Sequence, residues 1–150
     1  SVAGIYSYAS GIPVIVTSPN DSNAFNIGIS RPMANGQTAA LPGGPKIADN
    51  GAYFNRAAFT RTPQFQFGNV SRELPDVRIP GKKGLNALIE KQIPIRERFR
   101  LEFRTEMFNA TNSVVFNGPQ TSVTSSAFGT IALTQSNTPR VIQFALRLVF

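Results

Sequence analysis

A chain of 150 residues without cysteine or histidine has no disulfides, no thiolate metal ligands and none of the commonest general base. Its formal charge of +7 would suit a polyanion, yet Arg96, Arg98, Arg100 and Arg104 are interleaved with Glu90, Glu97, Glu102 and Glu106. No basic block forms, so nucleic-acid binding is not expected. No run of about 18 apolar residues exists, which excludes a transmembrane helix but leaves transmembrane strands open.

In chain order, SVAGIYSY (1–8) reads as strand from its first residues, as a processed chain or a fragment would. Ala9-Ser10-Gly11 then reads as a tight turn into a second strand at 12–17. Periodicity lapses over 18–83, where Pro, Gly, Asn and Asp punctuate the chain. Phe25, Tyr53, Phe54, Phe59, Phe65 and Phe67 argue that this excursion is ordered but irregular. A strand is expected at 84–93, a turn at Pro94–Arg96, and another strand at 97–108. A second long loop, 109–139, contains a short β-prone run at 127–134, and 140–150 forms the last strand.

ERFRLEFRTEMF (97–108) alternates with a period of two: Arg98, Arg100, Glu102, Arg104 and Glu106 share one parity, Phe99, Leu101, Phe103 and Met107 the other. In the last strand Ile142, Phe144, Leu146 and Leu148 oppose Gln143 and Arg147. Eleven strand residues tilted by about 40° rise roughly 28 Å, close to the ~25 Å apolar band of an outer-membrane barrel. The fold class expected is all-β: an antiparallel up-and-down meander of about five long strands, a single incomplete β-barrel segment with two long loops. The apolar set is expected to face lipid or another sheet, and the polar set, Arg98, Arg100, Glu102, Arg104, Glu106, Gln143 and Arg147, to face a wet interior.

GLNALIEKQIPIRERFRLEFRTEMFNATNSVVFNGP, then SSAFGTI, then NTPRVIQFALRLVF, resembles the C-terminal end of TonB-dependent outer-membrane receptors, in particular Oar-like members of the acidobacterial type. SVAGIYSYASGIPVIVT and YFNRAAFTRTPQFQFGN resemble that family's approach to its last strands. The resemblance implies the last strands of a substrate-uptake barrel in the Gram-negative outer membrane. It implies partners in lipid and in the remaining barrel strands, with TonB engaged only through parts outside this chain. It also implies that Phe150 is a terminal aromatic signal for the barrel-assembly machinery.

Catalysis is not expected. Glu102 and Glu106 lie about 13 Å apart along a strand, too far to pair as acid and base, and are better partners for Arg100 and Arg104. LPGGPK and RIPGKKG lack phosphate-loop spacing and read as turns. Asp21, Asp49 and Asp76 are too scattered to define a metal site, and no cofactor is expected. Two other classes remain: a processed fragment pairing edge to edge with copies of itself into a ring, tube or filament at the cell surface, and a soluble all-β binding module.

Overall fold

Alternating residues bury one face of a strand only when a neighbouring strand holds them in register, and the pairing is what the sequence leaves open. In a computed structural model describing residues 1–19, 29–47, 51–96 and 99–150, the main sheet has four antiparallel strands. These are β1 (Val2–Ala9), β6 (Lys82–Arg96), β7 (Phe99–Phe108) and β8 (Val141–Val149), hydrogen-bonded in the order β1-β6-β7-β8. Four short strands pair elsewhere: β2 (Ser18–Pro19) with β3 (Ile29–Ser30), and β4 (Met33–Ala34) with β5 (Phe59–Thr60). No α-helix occurs among the described residues; a single 3-10 turn covers Arg56–Ala58.

The chain divides into two compact units: residues 1–10, 81–115 and 135–150 in the first, 11–80 and 116–134 in the second. In the first unit, β6 continues through Pro94, which lies at a register shift between Pro94 and Arg96. The expected Pro94–Arg96 turn is therefore strand. A proline in a strand is tolerated at such an irregularity because the ladder is already interrupted there. The loop after β7 opens on Asn109 and Asn112, both at positive φ (49° and 50°), a conformation asparagine tolerates. Asn109 then knots the loop: its Nδ2 donates to the Ser113 and Thr138 carbonyls at 3.0 and 3.1 Å, and its backbone N–H donates to Asn86 Oδ1 at 3.0 Å.

The second unit overturns three expectations. Residues 12–17 do not return as a strand of the main sheet; Val14 and Val16, each 1% exposed, belong to this unit's core. Gly11 is not a turn glycine. A Cβ there would lie 1.7 Å from the Ile79 carbonyl oxygen, so glycine permits a close backbone approach. The chain runs on, pairing Pro13 with Arg78, and Ile79 donates its N–H to the Ile12 carbonyl at 2.9 Å. Residues 127–134 are not a strand: 127–129 form a turn, Thr130 makes an isolated bridge with Ala52, and 131–134 take no regular structure, with Phe128 and Ile131 in the core.

That core is aromatic. Phe54, Phe59 and Phe128 meet edge to face with centroids 5.2 to 6.1 Å apart, a geometry that aligns ring edges with ring faces. LPGGPK is a turn as expected, with Gly43 and Gly44 at φ 79° and 82° and Gly44 donating to Leu41 at 3.0 Å. RIPGKKG instead leads into β6, whose first residues are Lys82 and Lys83. Asp76 accepts from the Ala40 N–H at 3.1 Å, while Asp21, Asp49 and Phe25 lie outside the described residues.

Tyr53, 4% exposed, donates its hydroxyl to the Arg78 carbonyl at 2.7 Å. Burial raises its pKa above the ordinary phenol value. A group with a raised folded-state pKa contributes its stability below the unfolded value and loses it as pH climbs through the folded one. Tyr53→Phe should therefore cost about 1 kcal/mol at neutral pH. The gap to wild type should shrink above the usual tyrosine pKa, as measured by urea unfolding across alkaline pH; a constant gap would show that burial does not oppose ionisation there.

Candidate functional site

The register sorts the main sheet into two faces. Phe103 stands opposite Lys91 on β6 and Leu146 on β8; Leu101 opposite Ile93 and Leu148; Met107 opposite Ala87 and Ile142; Thr105 opposite Ile89 and Phe144. Phe99, Leu101, Phe103, Met107, Ile142, Phe144, Leu146 and Leu148 thus occupy one face. Arg100, Glu102, Arg104, Glu106, Gln143 and Arg147 occupy the other. Arg98 lies outside the described residues, and Phe150 follows the end of β8 at 89% exposure.

Strands that single-strand periodicity did not assign to this surface extend it. Val2, Tyr6 and Tyr8 of β1 and Leu85, Ala87, Ile89 and Ile93 of β6 join the apolar face through their pairings. Ser7, Asn86, Glu90 and Gln92 join the polar one. Their alternation is legible in sequence, but which neighbours they continue is not. The apolar face is open in this chain: Phe144 and Leu146 are 70% and 68% exposed, and the Phe103 and Phe144 rings stack with centroids 6.2 Å apart. Lys91 is the one charge within its middle rows, and Lys83 stands beside Tyr8 at its end.

The polar face is internally neutralised. Arg100 Nε lies 3.2 Å from Glu102 Oε1, and Arg104 pairs with Glu106. Across the strands Glu90 faces Arg104, and Glu102 faces Arg147. Opposite charges directly opposed on neighbouring strands add a few tenths of a kcal/mol per pair, about 0.2 to 1. Towards the end where β7 meets the Asn109 loop, this face forms a recess of about 750 Å³ lined by Ser7, Lys82, Asn86, Asn109, Asn137 and Gln143.

The limit of the apolar face at that end is oblique. It falls after Ile142 on β8 and Met107 on β7, which are partners in one row. On β6 it reaches Leu85, two residues beyond Met107's partner Ala87; on β1 it reaches Tyr8, two residues beyond Leu85's partner Tyr6. Arg140, Asn109, Lys83 and Ser10 come next on the same parity. The limit climbs about four residues across three strand spacings, roughly 13 Å along for 14 Å across, so it is inclined about 40° to the rows of partners.

Residues 1–143 match the model of the family described as outer membrane beta barrel domain. No curated protein and no solved structure matches the chain.

The two faces predict unequal tolerance. With lipid against the apolar face, Phe103→Arg should cost about 2 to 4 kcal/mol. Glu102→Gln on the opposite face should cost about 1 kcal/mol or less. Unfolding of both variants in lipid vesicles measures this, and equal penalties would reverse the assignment of the faces.

Proposed function

We propose, from the premise that this chain belongs to the outer membrane beta barrel domain family, that it forms consecutive wall strands near the C-terminal end of a TonB-dependent uptake receptor. Family membership carries the outer-membrane location and the barrel-type role. The finer reading rests on the order of these elements: the FRTEMFN strand, its asparagine-knotted loop, and the VIQFALRLV strand.

The observation that supports a membrane-spanning wall is the oblique limit of the apolar face. Barrel strands tilt by roughly 35–45° from the membrane normal, so the membrane plane must cut across their rows of partners at that angle. A second protein sheet packed in water imposes no such line. Packing between aligned sheets follows the twist and covers whole strands. Lys91 is compatible with lipid because its four-carbon stem can carry the ammonium past Ile93 towards the polar boundary.

In this arrangement the polar face lines the barrel interior, and the recess around Lys82, Asn86 and Gln143 opens at the end from which both long loops depart. The outer edge of β8 pairs with a strand outside the chain, since an unpaired edge buried in lipid costs several kcal/mol for each unsatisfied group. Another strand of the same barrel is the partner we favour over a second copy of the chain.

Val2 and Phe144 lie in one row, linked through Ile89 and Thr105. With strands tilted by about 40°, nitroxide labels at these two positions should differ in depth by roughly 9 Å. Labels at Tyr6 and Phe144 should lie at nearly equal depth. Oxygen and nickel accessibility in vesicles measures both. Equal depths for Val2 and Phe144 would remove the tilted-wall reading, and no depth gradient at all would favour an edge-paired filament or a soluble sandwich.

A further inference from the structure

In the second unit the loop from Thr62 to Val70 is pinned at both feet on one short segment. Buried Thr62 donates Oγ1 to the Arg31 carbonyl at 2.7 Å. Val70 donates its N–H to the Pro32 carbonyl at 3.2 Å and accepts from Arg31 Nη1 at 3.2 Å. Gly68 is pressed so closely on this segment that a Cβ would stand 1.7 Å from the Arg31 oxygen. The feet therefore admit little movement.

Between them a tight turn is closed by the Gln66 N–H donating to the Pro63 carbonyl at 3.4 Å. Its third residue, Phe65, has φ 59°. Turns that need positive φ at that place take glycine or asparagine, because a bulky side chain there is sterically strained. Strain of this kind is ordinarily offset by burying the ring. Phe65 is instead 75% exposed, and Phe67, two residues on, is 62% exposed. A backbone held in a costly conformation, on rigid feet, to present a ring to solvent is a pattern concentrated at binding sites.

The rings alternate with Gln64 and Gln66, both exposed. Covering the tip with hydrocarbon would strand these amides away from water beside the rings. The partner must offer a flat C–H face to an aromatic ring and, around its rim, groups that both donate to and accept from an amide. A pyranose ring has both. We propose that the Pro63–Phe67 tip is a saccharide-binding platform, Phe65 stacking on a sugar face and Gln64 and Gln66 bonding its hydroxyls. This site is independent of how the main sheet meets its surroundings.

The test uses the full chain refolded in a detergent without a sugar headgroup, such as lauryldimethylamine oxide. Probes are maltoheptaose, cellohexaose, chitohexaose and the deacylated core oligosaccharide of lipopolysaccharide, read by saturation-transfer NMR and titration calorimetry. At least one should bind. Phe65→Gly should weaken binding tenfold or more while raising the melting temperature followed by near-ultraviolet circular dichroism, since glycine relieves the positive φ. A merely structural Phe65 would lower that temperature. Gln64→Ala with Gln66→Ala should weaken binding without moving it. The proposal is overturned if no probe binds, if Phe65→Gly binds as well as wild type, or if Phe65 instead governs retention on sugar-free phospholipid vesicles.

Discussion

Antiparallel register is the constraint from which the two-faced sheet follows. Because side chains alternate, fixing Met107 opposite Ala87 and Ile142 fixes the facing of the other residues in the three strands as far as the register shift beside Pro94. A slip of one residue would turn Phe103 towards the arginines and Glu102 towards the apolar side. Such a slip is opposed from both faces: the Phe103–Phe144 stack holds one, and the facing of Glu90 with Arg104 and of Glu102 with Arg147 holds the other. Within β7 the ion pairs join residues two apart, where successive same-face side chains meet.

The charge pattern of the polar face gives the basic composition a different meaning from the one its total suggests. Arg100, Arg104 and Arg147 are met there by Glu90, Glu102 and Glu106. The excess positive charge is thus carried elsewhere, including Lys82 and Lys83 at the start of β6 and residues of the second unit such as Arg31, Arg56, Arg72 and Arg78. Among the described residues the polar face is thus balanced in its middle, with Lys82 at one end.

Strands β7 and β8 were legible because their alternation is unbroken and each is followed or preceded by asparagine, proline or glycine. Residues 12–17 alternate just as clearly, and there the pattern misleads. Val14 and Val16 share a parity because they line the core of an irregular unit, and periodicity records only that one side is apolar, not which neighbours cover it. Gly11 deceived for a related reason: glycine marks a turn and a close backbone approach with the same letter. Proline in Pro94 suggested an end to the strand, whereas the register shift beside it absorbs the missing donor. The oblique limit of the apolar face was invisible in any one strand, since it exists only after β1 and β6 have been set beside β7. The Phe65 platform was hidden too; its ring type is in the sequence, but its positive φ and exposure are not.

The pairing of residues 12–14 with 77–79 bears on how the sheet is assembled. The carbonyl of Ser1 and the N–H of Glu90 are bonded at 2.9 Å across a separation of 89 residues, the sort of distant contact that slows folding. Closing so long a loop costs entropy that grows with its length. In the second unit Val14 donates to the Val77 carbonyl and Ile79 to the Ile12 carbonyl, both at 2.9 Å. With Ile12 and Ile79 bonded, the stretch left to close before Ala9 meets Lys82 is only the few residues flanking Ser10 and Gly81. The second unit thereby shortens the longest loop that β1 and β6 must close, and with it the entropy that closure costs.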